Sequence, residues 1–135
     1  MPRFPFLSLN HGLAVLRIGT ALLFMAHAVV RIANGTIPRF ADFLGALGFP
    51  QPLLWVWAIT LVEIIGGGLM ILGIKVRWMA LGLLSIAAGG IVLIHARQGW
   101  FVGEHGTGGS EYSVCLILCL LVIAAADAER SARRD

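Results

Sequence analysis

Four runs of this sequence are each apolar for long enough to cross a lipid bilayer, and little of the chain is left over. They extend over about His11 to Ala33, Pro52 to Leu72, Trp78 to His95 and Glu111 to Ala126. A helix of about 20 apolar residues covers the roughly 30 Å hydrocarbon core, and each run approaches that length. Composition agrees: 13% of residues are charged, where a soluble domain carries about a quarter. Mean hydropathy is +0.90. No water-facing surface can be assembled from this residue set, so lipid is the solvent. The expected fold class is all-α, an integral membrane four-helix bundle, with residues 1–135 reading as a single transmembrane domain. Such a bundle leaves no room for a soluble catalytic domain. Any cofactor chemistry must sit inside the bundle or belong to a partner.

Between the first two runs lies Ile37-Pro-Arg-Phe-Ala-Asp-Phe-Leu-Gly-Ala-Leu-Gly48, too short to span. Phe40, Phe43, Leu44 and Leu47 recur at helical spacing opposite Arg39 and Asp42, which predicts a short amphipathic helix at the interface or against the bundle mouth. Trp55 and Trp57 open the second span as interfacial anchors. The first run competes with a signal peptide, having Arg3, an apolar stretch and Ala26-His27-Ala28 as a cleavage pattern. Arg17 interrupts that stretch, and the run is long enough to span. The mass of the mature chain would separate the two.

Orientation follows the bias of basic residues. With the N-terminus inside, Arg3, Lys75, Arg77, Arg130, Arg133 and Arg134 fall on the cytoplasmic side, against Arg31, Arg39 and Arg97 outside. Both termini are expected to be cytoplasmic. The ten Lys/Arg residues sit at span edges without interleaved aromatics, so the net charge of +3 implies no nucleic-acid surface. The last residues, Asp127 onward, read as a solvated tail.

A charged side chain at the centre of a spanning helix costs about 3 kcal/mol on insertion scales, which makes each one a candidate for function. In the first span Arg17, Thr20, Phe24, His27 and Arg31 fall on one stripe at 3.6 residues per turn, a stripe expected to face protein or water. Glu63 lies near the middle of the second span, with Thr60 and Gly67 on its face. Depth counted from the span ends brings Arg17 within about one and a half turns of Glu63 and predicts a buried Arg17–Glu63 pair. The same Glu63 could instead floor a polar cavity. The outer mouth collects His27, Arg31, His95, Arg97, Glu104, His105, Glu111 and Tyr112. From these the candidate polar pocket comprises Arg17, His27, Arg31, Glu63, His95, Glu111 and Tyr112.

Glu111 also suits a helix start, where the dipole favours a carboxylate, and His27 also suits a hydrogen bond to a carbonyl oxygen. The histidines lack ligand spacing such as HxxxH, and the chain has no CxxC, so neither metal nor haem is indicated. Cys115 and Cys119, four apart on one helix, read as packing residues. Gly66 and Gly67 read as structural, letting helices approach closely.

The order Arg17, His27, Leu47-Gly48-Phe49-Pro50, Glu63-Ile64-Ile65-Gly66-Gly67, Gly73 with Arg77, and Gly109-Ser110-Glu111-Tyr112 resembles the DoxX family of small four-helix membrane proteins. The likeness runs from about His11 to Ala126, and its matching positions are Arg17, His27, Glu63, Arg77, Glu111 and Tyr112. Two departures stand out: Ala28 and Arg31 where many members have glycine and lysine, and Asp127-Ala128-Glu129 in place of a glycine-rich tail. The resemblance implies a bundle in a bacterial-type inner membrane, a quinone as the associated cofactor, and a partner oxidoreductase subunit or a role in oxidant stress. The namesake members look like small subunits of a thiosulfate:quinone oxidoreductase. A non-enzymatic scaffold or a small-solute carrier remains the alternative. Substrate and oligomeric state, a homo-oligomer included, stay open.

Overall fold

The computed structural model describes residues 6–103 and 108–134. Its helices are α1 (Leu9–Ala33), α2 (Ile37–Ala46), α3 (Pro52–Leu61), α4 (Gly67–Leu72), α5 (Val76–Leu93) and α6 (Glu111–Ala132). One π-helical turn, Val62–Gly66, joins α3 to α4, so that Pro52–Leu72 forms one continuous span. A 3-10 turn, His95–Gln98, follows α5. Four helices are long and apolar enough to cross a membrane: α1, the α3–α4 span, α5 and α6. The protein is an all-α bundle of the expected class, with no strand among the described residues.

Local chemistry accounts for the helix ends. Ser8 caps α1, its hydroxyl accepting from the His11 N–H at 3.3 Å. Pro38 and Pro52 sit in the first turns of α2 and α3, where a missing N–H costs nothing. Gly73 closes α4 with φ +77, a left-handed conformation that glycine adopts without strain, and α5 begins three residues later.

The main core joins Ala21 and Phe24 of α1, Met70 of α4, Ala80 and Leu83 of α5, and Leu116, Leu120 and Ile123 of α6. A second core packs Ile37, Ala41 and Leu44 of α2 on Val56 of α3. The amphipathic helix is therefore seated on the bundle, and its buried face is shifted from the predicted one. Phe43 is exposed, whereas Phe40 is half-buried. The fourth span begins at Glu111 as expected, but α6 continues past Ala126 to Ala132, so Asp127 is a helical residue and not part of a solvated tail.

The register of α1 against the α3–α4 span is set by close approach at Gly67. A Cβ built there would lie 2.5 Å from Met25 Cγ and 3.3 Å from the Ala21 carbonyl oxygen. Gly66 is buried as well, but a Cβ on it would meet only ordinary contacts near 4 Å. Moving down the antiparallel pair, Gly73 faces the Arg17 guanidinium, with its built Cβ 3.6 Å from Nη1. Moving up, Glu63 meets Arg31.

Candidate functional site

The buried polar site is built on this register, and it pairs Glu63 with Arg31, not with Arg17. Arg31 Nη1 donates to Glu63 Oε2 at 2.7 Å and to Thr60 Oγ1 at 2.8 Å. Depth counted from span ends fails because α1 starts well beyond the end of its neighbour. Arg17 lies opposite Gly73, ten residues from Glu63, or about 15 Å of helix rise. An arginine side chain does not bridge that distance.

Thr60 ties the pair to its own helix. Thr60 accepts from Arg31 and donates its own hydroxyl to the Val56 carbonyl oxygen at 2.7 Å. That bond to the preceding turn competes with the helix ladder, and the π-helical turn begins two residues later. Such turns are single insertions into an α-helix and recur at functional sites. This one carries Glu63 as its second residue. The Phe40 ring covers the guanidinium, with Arg31 Cζ 5.3 Å from its centroid. The Glu63 side chain is 4% exposed and that of Arg31 15%. Taking two such charges out of water costs several kcal/mol per ion, which only close pairing and further hydrogen bonds offset.

The other candidate residues are distributed as follows. His27 precedes Arg31 by one turn of α1 and shares its side of the helix. It is exposed, and its ring lies 6.4 Å from that of Tyr112 on α6, tilted by 46°. Tyr112 is itself 39% exposed. The stripe predicted on α1 is therefore buried at Thr20 and Phe24, exposed at His27, and inside again at Arg31.

Glu111 opens α6 and holds the connector: its Oε1 accepts from the Val102 N–H at 2.8 Å, and its own N–H donates to the Trp100 carbonyl oxygen. His95 packs on Gly90, and its Nδ1 is buried without a hydrogen-bond partner. Arg77 belongs to the opposite end of the bundle. There its backbone N–H donates to Asp127 Oδ2 at 3.1 Å, and its guanidinium lies 5.4 Å from the Trp78 ring centroid. Cys115 and Cys119 are free thiols. Among the described residues no three His, Cys, Asp or Glu side chains gather to hold a metal. Glu104 and His105 lie outside the described residues.

Three residues of these sites escape sequence reasoning in different ways. Phe40 covers Arg31 through a contact between separate helices, which no local pattern announces. Thr60 was visible as a neighbour of Glu63 on one helix face, but its arginine partner was not. Asp127 had a legible signal: Leu116, Leu120, Ile123 and Asp127 recur at spacings of four, three and four, the buried seam of a helix that continues.

Comparison with known proteins gives one result. The model of the DoxX family matches residues 12–96, more than half of the chain, covering most of α1 and all of α2 to α5. No curated protein and no solved structure matches the chain. A multi-pass membrane protein with four apolar spans and this family match belongs to the DoxX family.

Proposed function

We propose that this chain is a redox-associated subunit of a membrane oxidoreductase system that engages a quinone from the lipid side, in a bacterial-type inner membrane with both termini cytoplasmic. One observation carries the reading: an exposed His27–Tyr112 pair sits one helical turn from a buried Arg31–Glu63 pair whose Glu63 lies in a π-helical turn. These residues fit a quinone headgroup in kind. An imidazole facing lipid can donate an N–H to a carbonyl oxygen, and a phenol beside it can do the same through its hydroxyl. When bound, a quinone supplies a lipid-soluble electron and proton carrier. His27 would orient the headgroup, Tyr112 would flank it, and Arg31 would keep Glu63 fixed behind. The chain has no haem-attachment motif and no GxGxxG, so the electrons are assigned to a partner subunit.

The test is photolabelling with an azido-quinone in native membranes, with quinone quantified in the purified protein. Label on peptides containing His27 or Tyr112, reduced about tenfold by His27→Phe, is the expected result. His27 is exposed, so this change leaves the core intact. A purified protein with neither quinone nor label overturns the reading.

The closed geometry around Glu63 favours a second reading, a non-enzymatic scaffold or small-solute carrier in which Arg31–Glu63 is architecture. Glu63 is buried, and its carboxylate is held by Arg31 beneath Phe40. Glu63→Gln separates the two. Lower yield and stability with an unchanged oxidation phenotype supports architecture, and normal yield with a lost phenotype supports a working pocket.

A further inference from the structure

The end of the bundle that carries both termini holds a second charged site, independent of the quinone reading. Arg17 has no ion-pair partner: the ion pairs among the described residues are Arg31–Glu63 and Arg133–Glu129. Its Nε is buried and makes no hydrogen bond, and its guanidinium lies across Gly73. It lines a small cleft between α1, α6 and the start of α5 together with Arg130 and Asp127. Leu13, Val76 and Ile123 supply apolar walls. Asp127 is the one carboxylate lining the cleft, and one of its oxygens is taken by the Arg77 N–H. Basic side chains outnumber the carboxylate, and apolar walls lie directly beneath them.

We propose that this cleft binds a phosphate group, presented by an anionic phospholipid headgroup. Basic pockets between spanning helices recognise such headgroups, and an arginine fork matches phosphate oxygens in pairs. The cleft's volume of about 20 Å³ admits one water-sized group. One phosphate oxygen therefore enters toward Arg17, while the rest of the headgroup stays outside near Arg130 and the acyl chains follow the groove between α1 and α6. By the count of basic residues, this end faces the cytoplasmic leaflet.

The test uses the full chain, purified and delipidated in neutral detergent. Native mass spectrometry reads binding of phosphatidylglycerol against phosphatidylcholine, with inorganic phosphate as competitor. At least a tenfold preference for phosphatidylglycerol is expected, falling roughly tenfold in Arg17→Gln and severalfold in Arg130→Gln. Asp127→Asn removes the opposing charge while keeping an acceptor for Arg77, and should strengthen binding severalfold. Competition by millimolar phosphate supports a site for phosphate as such, supplied from solution as well as from lipid. Failure of phosphate to compete, with the headgroup preference intact, supports the lipid as source. Equal binding of the two lipids overturns the proposal, as does full preference retained in both Arg17→Gln and Arg130→Gln. Should Arg17→Gln not fold, the exposed Arg130 and the charge-raising Asp127→Asn still decide it, because unchanged affinity in both overturns the site.

Discussion

Arg31→Met tests whether Glu63 is held by Arg31. In the native protein the Glu63 carboxylate is buried with one cation against it, 2.7 Å from Arg31 Nη1. Methionine fills the volume beneath Phe40 but leaves that carboxylate with no opposite charge. Removing one partner of a buried pair typically costs about 3–5 kcal/mol, since the remaining charge is uncompensated. Glu63→Gln leaves the Arg31 guanidinium without a counter-charge, but Arg31 is the more exposed partner, at 15% against 4%, and the carboxamide oxygen still accepts from it, so the cost should fall below that of Arg31→Met, at about 1.5–3 kcal/mol. In the double variant both charges are gone, and it should be at least about 1 kcal/mol more stable than Arg31→Met alone. Arg17→Met should cost less than about 1 kcal/mol, because among the described residues Arg17 has no ion pair to lose and its buried Nε makes no hydrogen bond. Reversible unfolding by SDS in mixed micelles, followed by tryptophan fluorescence and circular dichroism, gives all four values. The reasoning is refuted if Arg17→Met is as damaging as Arg31→Met, or if the double variant is no more stable than Arg31→Met alone.

Three further outcomes are expected. Gly67→Ala should lose about 1–3 kcal/mol by SDS unfolding, because the new Cβ collides with Met25 and the Ala21 carbonyl, while neighbouring Gly68→Ala, with open space around it, should be neutral or slightly stabilising. Asp127→Ala should cost about 1 kcal/mol in the same assay through the lost cap on α5, and Asp127→Asn less than half of that. Glu111→Ala should release Val102 and speed protease cleavage of the connector after residue 98, with a global stability change of about 1 kcal/mol or less.

The sequence by itself determined the solvent and the architecture. Apolar runs of spanning length, with charge confined to a few positions, permit only helices in lipid, because no water is present there to satisfy a bare backbone. It also marked Arg31 and Glu63 as candidates, from the cost of placing charge in a membrane. Which arginine meets Glu63 was not legible. That depends on how far α1 slides along α3–α4, and the slide is fixed by the absence of a side chain at Gly67 and by α1 starting two turns beyond its neighbour's end. Composition and periodicity locate residues around and along one helix but contain no measure of the offset between two. Only packed tertiary structure sets that offset, and here it separates the charges of α1 into a pair with Glu63 and, at the end that carries the termini, an arginine with no ion-pair partner among the described residues.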